Sequence, residues 1–185
     1  ADFITIKKLI DEGVIGEVFS YESFVGGYSK PCSYWHSDAQ VSGGAIFDWG
    51  RHFIDQILAI IPSEVDTVSA INQKRVWKHV TNADHADVLI TFSNGARASF
   101  TNSDLAAARK PKFYILGTTG AITGNWDPAA ASAPADLPAI LTVHRADGTD
   151  EVIPNSLANP YSFHQSVVAY LNHKTPMNVT TRQSR

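Results

Sequence analysis

The sequence predicts an α+β domain, an open and mostly antiparallel β-sheet with helices on one face. Three observations carry this reading. Helical periodicity comes early, in residues 3–10 and again in 46–61, while strand-like segments follow one another from Val65 onward. Between two of those segments, Ser93-Asn94-Gly95 supplies a hairpin turn, because Asn-Gly tolerates the positive backbone angles that a tight turn needs.

The elements follow in order. Phe3, Ile6, Lys7, Leu9 and Ile10 form a running amphipathic helix that Gly13 stops. After Gly16, residues 17–25 alternate as a strand with Val18, Ser20, Glu22 and Phe24 on one face. Residues 26–42 form a loop rich in Gly, Ser, Pro and aromatics. Tyr28, Lys30, Tyr34, Trp35 and His36 give that loop large amphipathic groups suited to a polar pocket or to loop packing. Strands are expected at 65–74, 85–92, 96–101 and 113–116, with Gly117-Thr118-Thr119-Gly120 as a strand turn. It lacks the Gly-Lys-Ser/Thr ending of a phosphate loop, and no helix pattern follows. The Ala/Pro-rich residues 126–138 are read as a surface insertion. Residues 139–144, the Asp147-Gly148 turn and 151–153 form a second hairpin, and Asn159-Pro160 starts a helix carrying Phe163, Val167, Tyr170 and Leu171. Residues after Pro176 are polar, and there is no internal repeat.

Composition bounds the function. The chain has 185 residues, 44% of them hydrophobic and 18% charged, enough for one domain with a substantial core. A net charge of -3 without long charge runs gives no electrostatic reason to expect nucleic acid or an anionic membrane as partner. Cys32, the single cysteine, cannot form an internal disulfide and fits a reducing compartment. No run of apolar residues is long enough to span a membrane, and the N-terminus lacks a signal-peptide pattern, so a cytoplasmic location is expected.

The chemistry is expected in the stretch from Gly43 to Asp55. As an α-helix with about 100° of rotation per residue, it places Asp48, His52 and Asp55 within an arc of roughly 60°. Ile46, Phe47, Phe53, Ile54, Ile57, Leu58 and Ile61 gather on the opposite, buried side. Spacing by itself leaves three readings of the polar face: a solvated face with an intrahelical Asp48-His52 pair, a cleft, or two ligands of a metal. The metal reading lacks a third and fourth ligand at recognisable spacing, and no metal is expected.

The succession Gly13-Val14-Ile15-Gly16, Trp35 just upstream of Gly43-Gly44, Asp48-x-Gly50-x-His52-x-x-Asp55 and the later Gly117-Thr118-x-Gly120 resembles one known family. It is similar to the C-terminal domain of the glucose-fructose oxidoreductase, inositol 2-dehydrogenase and rhizopine catabolism (Gfo/Idh/MocA) oxidoreductases, over nearly the whole chain. The resemblance implies a C-terminal sheet domain like that of glyceraldehyde-3-phosphate dehydrogenase. It implies a partner Rossmann domain that binds NAD or NADP, and an open sheet that packs against another subunit to make a homo-oligomer. The family's nucleotide-binding glycine motif and Glu-Lys-Pro segment do not occur here. Residues 1–185 are therefore expected to be the substrate and oligomerisation domain of a longer protein, inactive when isolated, with a final helix that stops short of the family's usual tail.

By resemblance, His52 is the acid/base or substrate-hydroxyl ligand and Asp48 holds the substrate and orients proton transfer. Hydride removal from a secondary alcohol leaves a proton on oxygen, and imidazole titrates near neutral pH. Trp35, His36, Tyr28, Lys30 and Arg51 are the expected substrate contacts, and Asp55 is expected to be structural. Arg51 stands where a smaller residue is commoner, and His36 where an arginine often follows the tryptophan. The expected function is hydride transfer between a nicotinamide cofactor and a small-molecule sugar, polyol or related secondary alcohol. The alternative is a non-catalytic binding or dimerisation module that retains the fold.

Overall fold

The computed structural model describes residues 1–128 and 138–177. Most of the Ala/Pro-rich stretch, residues 129–137, and the polar end after residue 177 lie outside the described residues. Residues Ala1–Asn155 make one compact unit, and a second begins at Ser156.

Helix α1, Asp2–Asp11, buries Thr5 and Ile6, while Phe3, Leu9 and Ile10 pack more loosely against the core. It leads into strand β1, Val18–Gly26. A short helix α2, Ala39–Ser42, a π turn, Ile46–Gly50, and helix α3, Arg51–Ile60, come next. Strands β2 (Val65–Gln73), β3 (His85–Phe92) and β4 (Arg97–Ser103) follow. They are succeeded by β5 (Phe113–Gly117), β6 (Gly120–Asn125), β7 (Ile140–Arg145) and β8 (Asp150–Ile153). In the second unit, α4 spans Ser162–His173 and buries none of its side chains within that unit. No helix among the described residues is long and apolar enough to cross a membrane.

The described strands form one sheet in the order β2-β3-β4-β1-β5-β6-β7-β8, antiparallel throughout except for the parallel pair β1 and β4. The fold class is thus as the residue pattern predicts. Strand β6 is an addition, because Ile122 is the one large apolar side chain in Gly120–Asn125 and no alternation announces it.

Alternation with period two divides the sheet into unlike faces. Val88, Ile90, Ala98, Phe100, Tyr21, Phe113, Ile115, Ile122, Leu141 and Val143 are buried against the helices. Opposite lies a mixed row that the registers align from strand to strand: Ser69, Leu89, Ser99, Glu22, Tyr114, Thr123, Thr142 and Val152. Helix α3 sits on the core face through Phe53, whose ring stacks on Phe100 at 5.1 Å and tilts over Phe113 at 6.0 Å. Ile57, Ile60 and Ile61 complete the contact. Each large apolar side chain so buried contributes about 1.5–3 kcal/mol. Phe47 and Leu58, expected on the buried side, are instead 69% and 47% exposed. Phe47 belongs to the π turn, whose wider winding breaks the 100° phase assumed for an α-helix.

The glycine turns at 13–16 and 117–120, distant in sequence, meet in space. Thr118 and Thr119 donate their backbone N–H groups to Glu17 and Ile15 at 3.0 Å each. Gly117 has no side-chain room, since a Cβ there would run into the Ile15 carbonyl oxygen. Asp2 fastens α1 to the sheet through Lys112 at 2.6 Å and the Ala139 N–H at 3.1 Å.

Asp84, just ahead of β3, is the most enclosed charge described: its side chain has no exposed surface. Its carboxylate accepts from Lys74 Nζ at 2.8 Å and from the backbone N–H groups of Arg75, Val76 and Trp77 at 2.6, 2.6 and 3.2 Å. Burial pushes its pKa up, but the Lys74 bond and the backbone donors outweigh burial and bring it down to about 2. The folded value lies below the ordinary 3.8, so the stability it contributes is present above 3.8 and lost as pH falls through about 2. Asp84→Ala strands Lys74 and three backbone donors at once. It is expected to cost about 3–5 kcal/mol at neutral pH, read as a lowered thermal midpoint whose deficit shrinks on acidification toward pH 2.

Candidate functional site

Two glycines set up the site. Gly43 and Gly44 both take positive φ, 79° and 90°, which lets the chain reverse after α2 and enter the π turn. A Cβ on Gly43 would press into the Phe47 ring, so the turn closes over a bare backbone position. Gly50, at the end of the π turn, lies flat on Phe100, where a Cβ would stand 3.3 Å from the ring. The site is thereby anchored to the core face of the sheet.

Within the π turn, Asp48 points at the preceding loop rather than along α3. Its Oδ2 lies 3.3 Å from Nδ1 of His36, and both side chains are about one-third exposed. His36 belongs to a 3₁₀ turn, Trp35–Ser37, and its ring is covered by Trp35 at a centroid distance of 3.7 Å, with Tyr34 edge-on at 5.5 Å. The loop is tied down by Asn82, which donates Nδ2–H to the His36 carbonyl at 2.7 Å, and by the N–H groups of Thr81 and Asn82, both 3.2 Å from the Ser37 carbonyl. Asp38 caps α2 by accepting the Gln40 N–H at 3.0 Å.

These elements enclose an open cavity of about 340 Å³ lined by Cys32, Tyr34, His36, Ser37, Asp48, Trp49, Asn82, Asn102 and Asp104, with Pro31 and Ala45. Among the described residues no lysine or arginine lines it. Among the described residues no group of three or more His, Cys, Asp or Glu side chains is arranged to hold a metal ion.

Of the residues singled out from the sequence, the structure brings Asp48 and His36 together and lays Trp35 on the latter. His52 sits on the exposed face of α3, one turn on from Asp48, with no hydrogen-bond partner among the described residues. The intrahelical Asp48-His52 pair does not form in this arrangement; His36 takes the carboxylate instead. Arg51 and Lys30 are exposed and outside the cavity lining. Tyr28 packs edge-on against Trp77 at 5.9 Å, and Asp55 is exposed without an ion pair among the described residues.

The sequence reading missed Asn82, Asn102 and Asp104. A signal for Asp104 was present. In the β3–β4 hairpin His85 pairs with Ser103, so the next position out places Asp84 and Asp104 side by side, each ten residues from Asn94 of the turn. The Asp104 N–H donates to the Asp84 carbonyl at 2.8 Å, and its own carbonyl accepts from Ser29 N–H at 3.2 Å and Trp77 Nε1–H at 3.4 Å. Its carboxyl group has no hydrogen-bond partner among the described residues. Burial and then the neighbouring Asp84 charge push its pKa up to about 6, against a smaller opposing pull from Lys74.

Residues 3–123 match the family model of the GFO/IDH/MocA C-terminal domain. The chain is 25% identical over 98% of its length to scyllo-inositol 2-dehydrogenase (NADP(+)) IolW of Bacillus subtilis, covering 55% of that protein. It is 24% identical over 80% of its length to dTDP-3,4-didehydro-2,6-dideoxy-alpha-D-glucose 3-reductase of Actinomadura kijaniata, covering 43% of that enzyme. The chain thus spans about half the length of the curated relatives it matches. Among solved structures, an NAD-binding protein from Listeria innocua superposes with a TM-score of 0.76 at 26% identity, over 99% of this chain and 53% of that one. An oxidoreductase from Bacillus cereus shares the fold with a TM-score of 0.77 at 19% identity, over 99% of this chain and 66% of that one.

The raised Asp104 value has a consequence for stability. Its folded pKa exceeds 3.8, so the stability tied to this group is present below 3.8 and lost as pH rises through about 6. Asp104→Asn is therefore expected to melt at a higher temperature than the parent at pH 7. The advantage should vanish at and below pH 3.8, as a series of thermal melts across that range would show.

Proposed function

Since the chain belongs to the GFO/IDH/MocA family, whose C-terminal domain it matches, we propose that it is the substrate-binding and catalytic half of a cytoplasmic NAD- or NADP-dependent dehydrogenase. Its substrate is a sugar, a polyol or a related secondary alcohol. The observation that carries this reading is the Asp48–His36 pair opening into a polar cavity without cationic side chains. A carboxylate supported by an imidazole can hold a substrate hydroxyl and orient its proton. Trp35 restrains the imidazole from its other face.

His52 takes the acid/base role that the motif implies. Exposed on α3, it is open to a substrate held between this domain and another. A π turn directly before it fits the frequent use of such turns at functional sites. The nicotinamide nucleotide is held mainly outside this chain. Among the described residues the one parallel strand pair, β1 and β4, is not joined by a glycine-rich strand-to-helix turn of the kind that receives a pyrophosphate. A Rossmann domain preceding these residues in the full-length protein supplies that site. The relatives named for NADP and for inositol or sugar-nucleotide substrates support the reaction class.

The outer face of the sheet serves as a contact between subunits. Leu89, Tyr114 and Val152, at 44%, 39% and 67% exposure, alternate along it with serine, threonine and glutamate, as a partly apolar interface requires.

In the full-length protein, His52→Ala and Asp48→Ala should each lower turnover by about 10²- to 10⁴-fold. Neither truncation opens a core cavity, so the melting temperature should hold. Steady-state constants measured beside thermal melts separate the outcomes: a raised KM with little change in kcat would make His52 a hydroxyl ligand. Near-normal kinetics with a collapsed melt would make the pair purely structural. An upstream strand-Gly-x-Gly-x-x-Gly-helix and a Glu-Lys-Pro segment in the full-length gene are also expected, and their absence would favour a non-catalytic module.

A further inference from the structure

Part of the cavity lining comes from the end of β4 and the residue just past it, and two side chains there have no assigned task. Asn102 is only 6% exposed, lines the cavity, and its amide has no hydrogen-bond partner among the described residues. Asp104 lines the same cavity, with its backbone held on both sides and its carboxyl group without a hydrogen-bond partner among the described residues. Asp104 is half-buried, and neither side chain has a hydrogen-bond partner among the described residues, so both are free to engage a ligand hydroxyl.

We propose that Asp104 and Asn102 form a hydroxyl-binding subsite that selects uncharged, polyhydroxylated substrates and rejects anionic ones. This rests on the reading of the cavity as a sugar or polyol site. Asp104, when ionised, offers only acceptors, so it engages a hydroxyl as donor, while the Asn102 amide can both give and receive. A vicinal pair of hydroxyls matches this donor and acceptor set.

The charges around the subsite define what it excludes. Asp48, paired with His36, lines the same cavity, and Asp84 neighbours Asp104 across the hairpin with Lys74 as its ion-pair partner. Cys32 and Tyr34 are the other titratable groups on the wall. Among the described residues no arginine or lysine reaches the lining, so a carboxylate or phosphate on the substrate would meet two carboxylates and no counter-charge from this wall of the site. Arg51 and Lys30, the cations that could have received an acidic substrate, lie outside the lining. A site that hydrogen-bonds a hydroxyl discriminates against a ligand lacking it, because its polar groups are then left without that partner.

The test is calorimetry on the full-length protein with NADP or NAD present, using myo-inositol and D-glucose as neutral probes and D-glucuronate and glucose 6-phosphate as anionic ones. The parent should bind at least one neutral probe more tightly than either anion. Asp104→Asn should weaken the neutral probe by about tenfold and tighten the anions, narrowing the selectivity ratio in a way that a merely structural role would not. Asn102→Ala should weaken the neutral probe without improving the anions. Thermal melts of each variant confirm folding. Anions bound as tightly as neutral probes by the parent, no binding of any neutral probe, or an unchanged ratio in Asp104→Asn would each overturn the subsite. Turnover is scored separately: a neutral probe that binds with the expected ratios but is never oxidised upholds the subsite and overturns the dehydrogenase reading.

Discussion

A single buried charge organises the cavity side of this domain. Asp84 gathers the Lys74 ammonium and three consecutive backbone N–H groups, so residues 73–77 are wound around one carboxylate. That winding presents Trp77, whose indole N–H reaches the Asp104 carbonyl and whose ring carries Tyr28. Asp84 also accepts the Asp104 N–H through its own carbonyl and raises the Asp104 pKa through its charge. Shape and electrostatics of one cavity wall therefore share an origin. A buried carboxylate is costly unless each lone pair is used, and here its donors are taken from the loop it organises.

The other wall depends on the sheet. Phe53 stacked on Phe100 fixes α3 against the core face, and Gly50 allows the helix backbone to lie directly on the same ring. With both ends of that contact fixed, the extra residue of the π turn is accommodated toward solvent, where Phe47 emerges and Asp48 swings to His36. The Asn82 amide then clamps the His36 backbone to the segment that leads into Asp84. The two walls are consequently coupled by hydrogen bonds between loops that neither belong to the sheet nor follow one another in the chain.

What could be read from the residues depended on the range of the interactions concerned. Strand β3 was legible to the residue, since His85 to Phe92 alternates cleanly and Asn94-Gly95 closes the hairpin. Helix α3 was legible through Phe53, Ile57 and Ile61, whereas the phase of the turn before it was not. Whether that turn winds as α or π depends on how Gly50 and Phe53 seat on Phe100, a contact across 47 residues for the latter pair. The Asp48–His36 pair joins two residues 12 apart across an irregular loop, and no periodicity encodes it. The Asp84 and Asp104 neighbourhood was encoded in the hairpin register and went unread, because neither residue lies in a helical or strand pattern.

By itself, the sequence determined the fold class, the order of most elements, the sheet's two unlike faces and the family motif on the Gly43–Asp55 stretch. Those follow from local periodicity, turn chemistry and residue identity, which act over a few neighbours. The tertiary structure alone decided that Asp48 turns to His36, that Arg51 and Lys30 stay outside the cavity, and that Asn102 and Asp104 line it. Each of those outcomes is a balance of packing against the sheet and desolvation of charge between distant segments. Such terms exist only once β1, β4 and the loops they carry have been brought together.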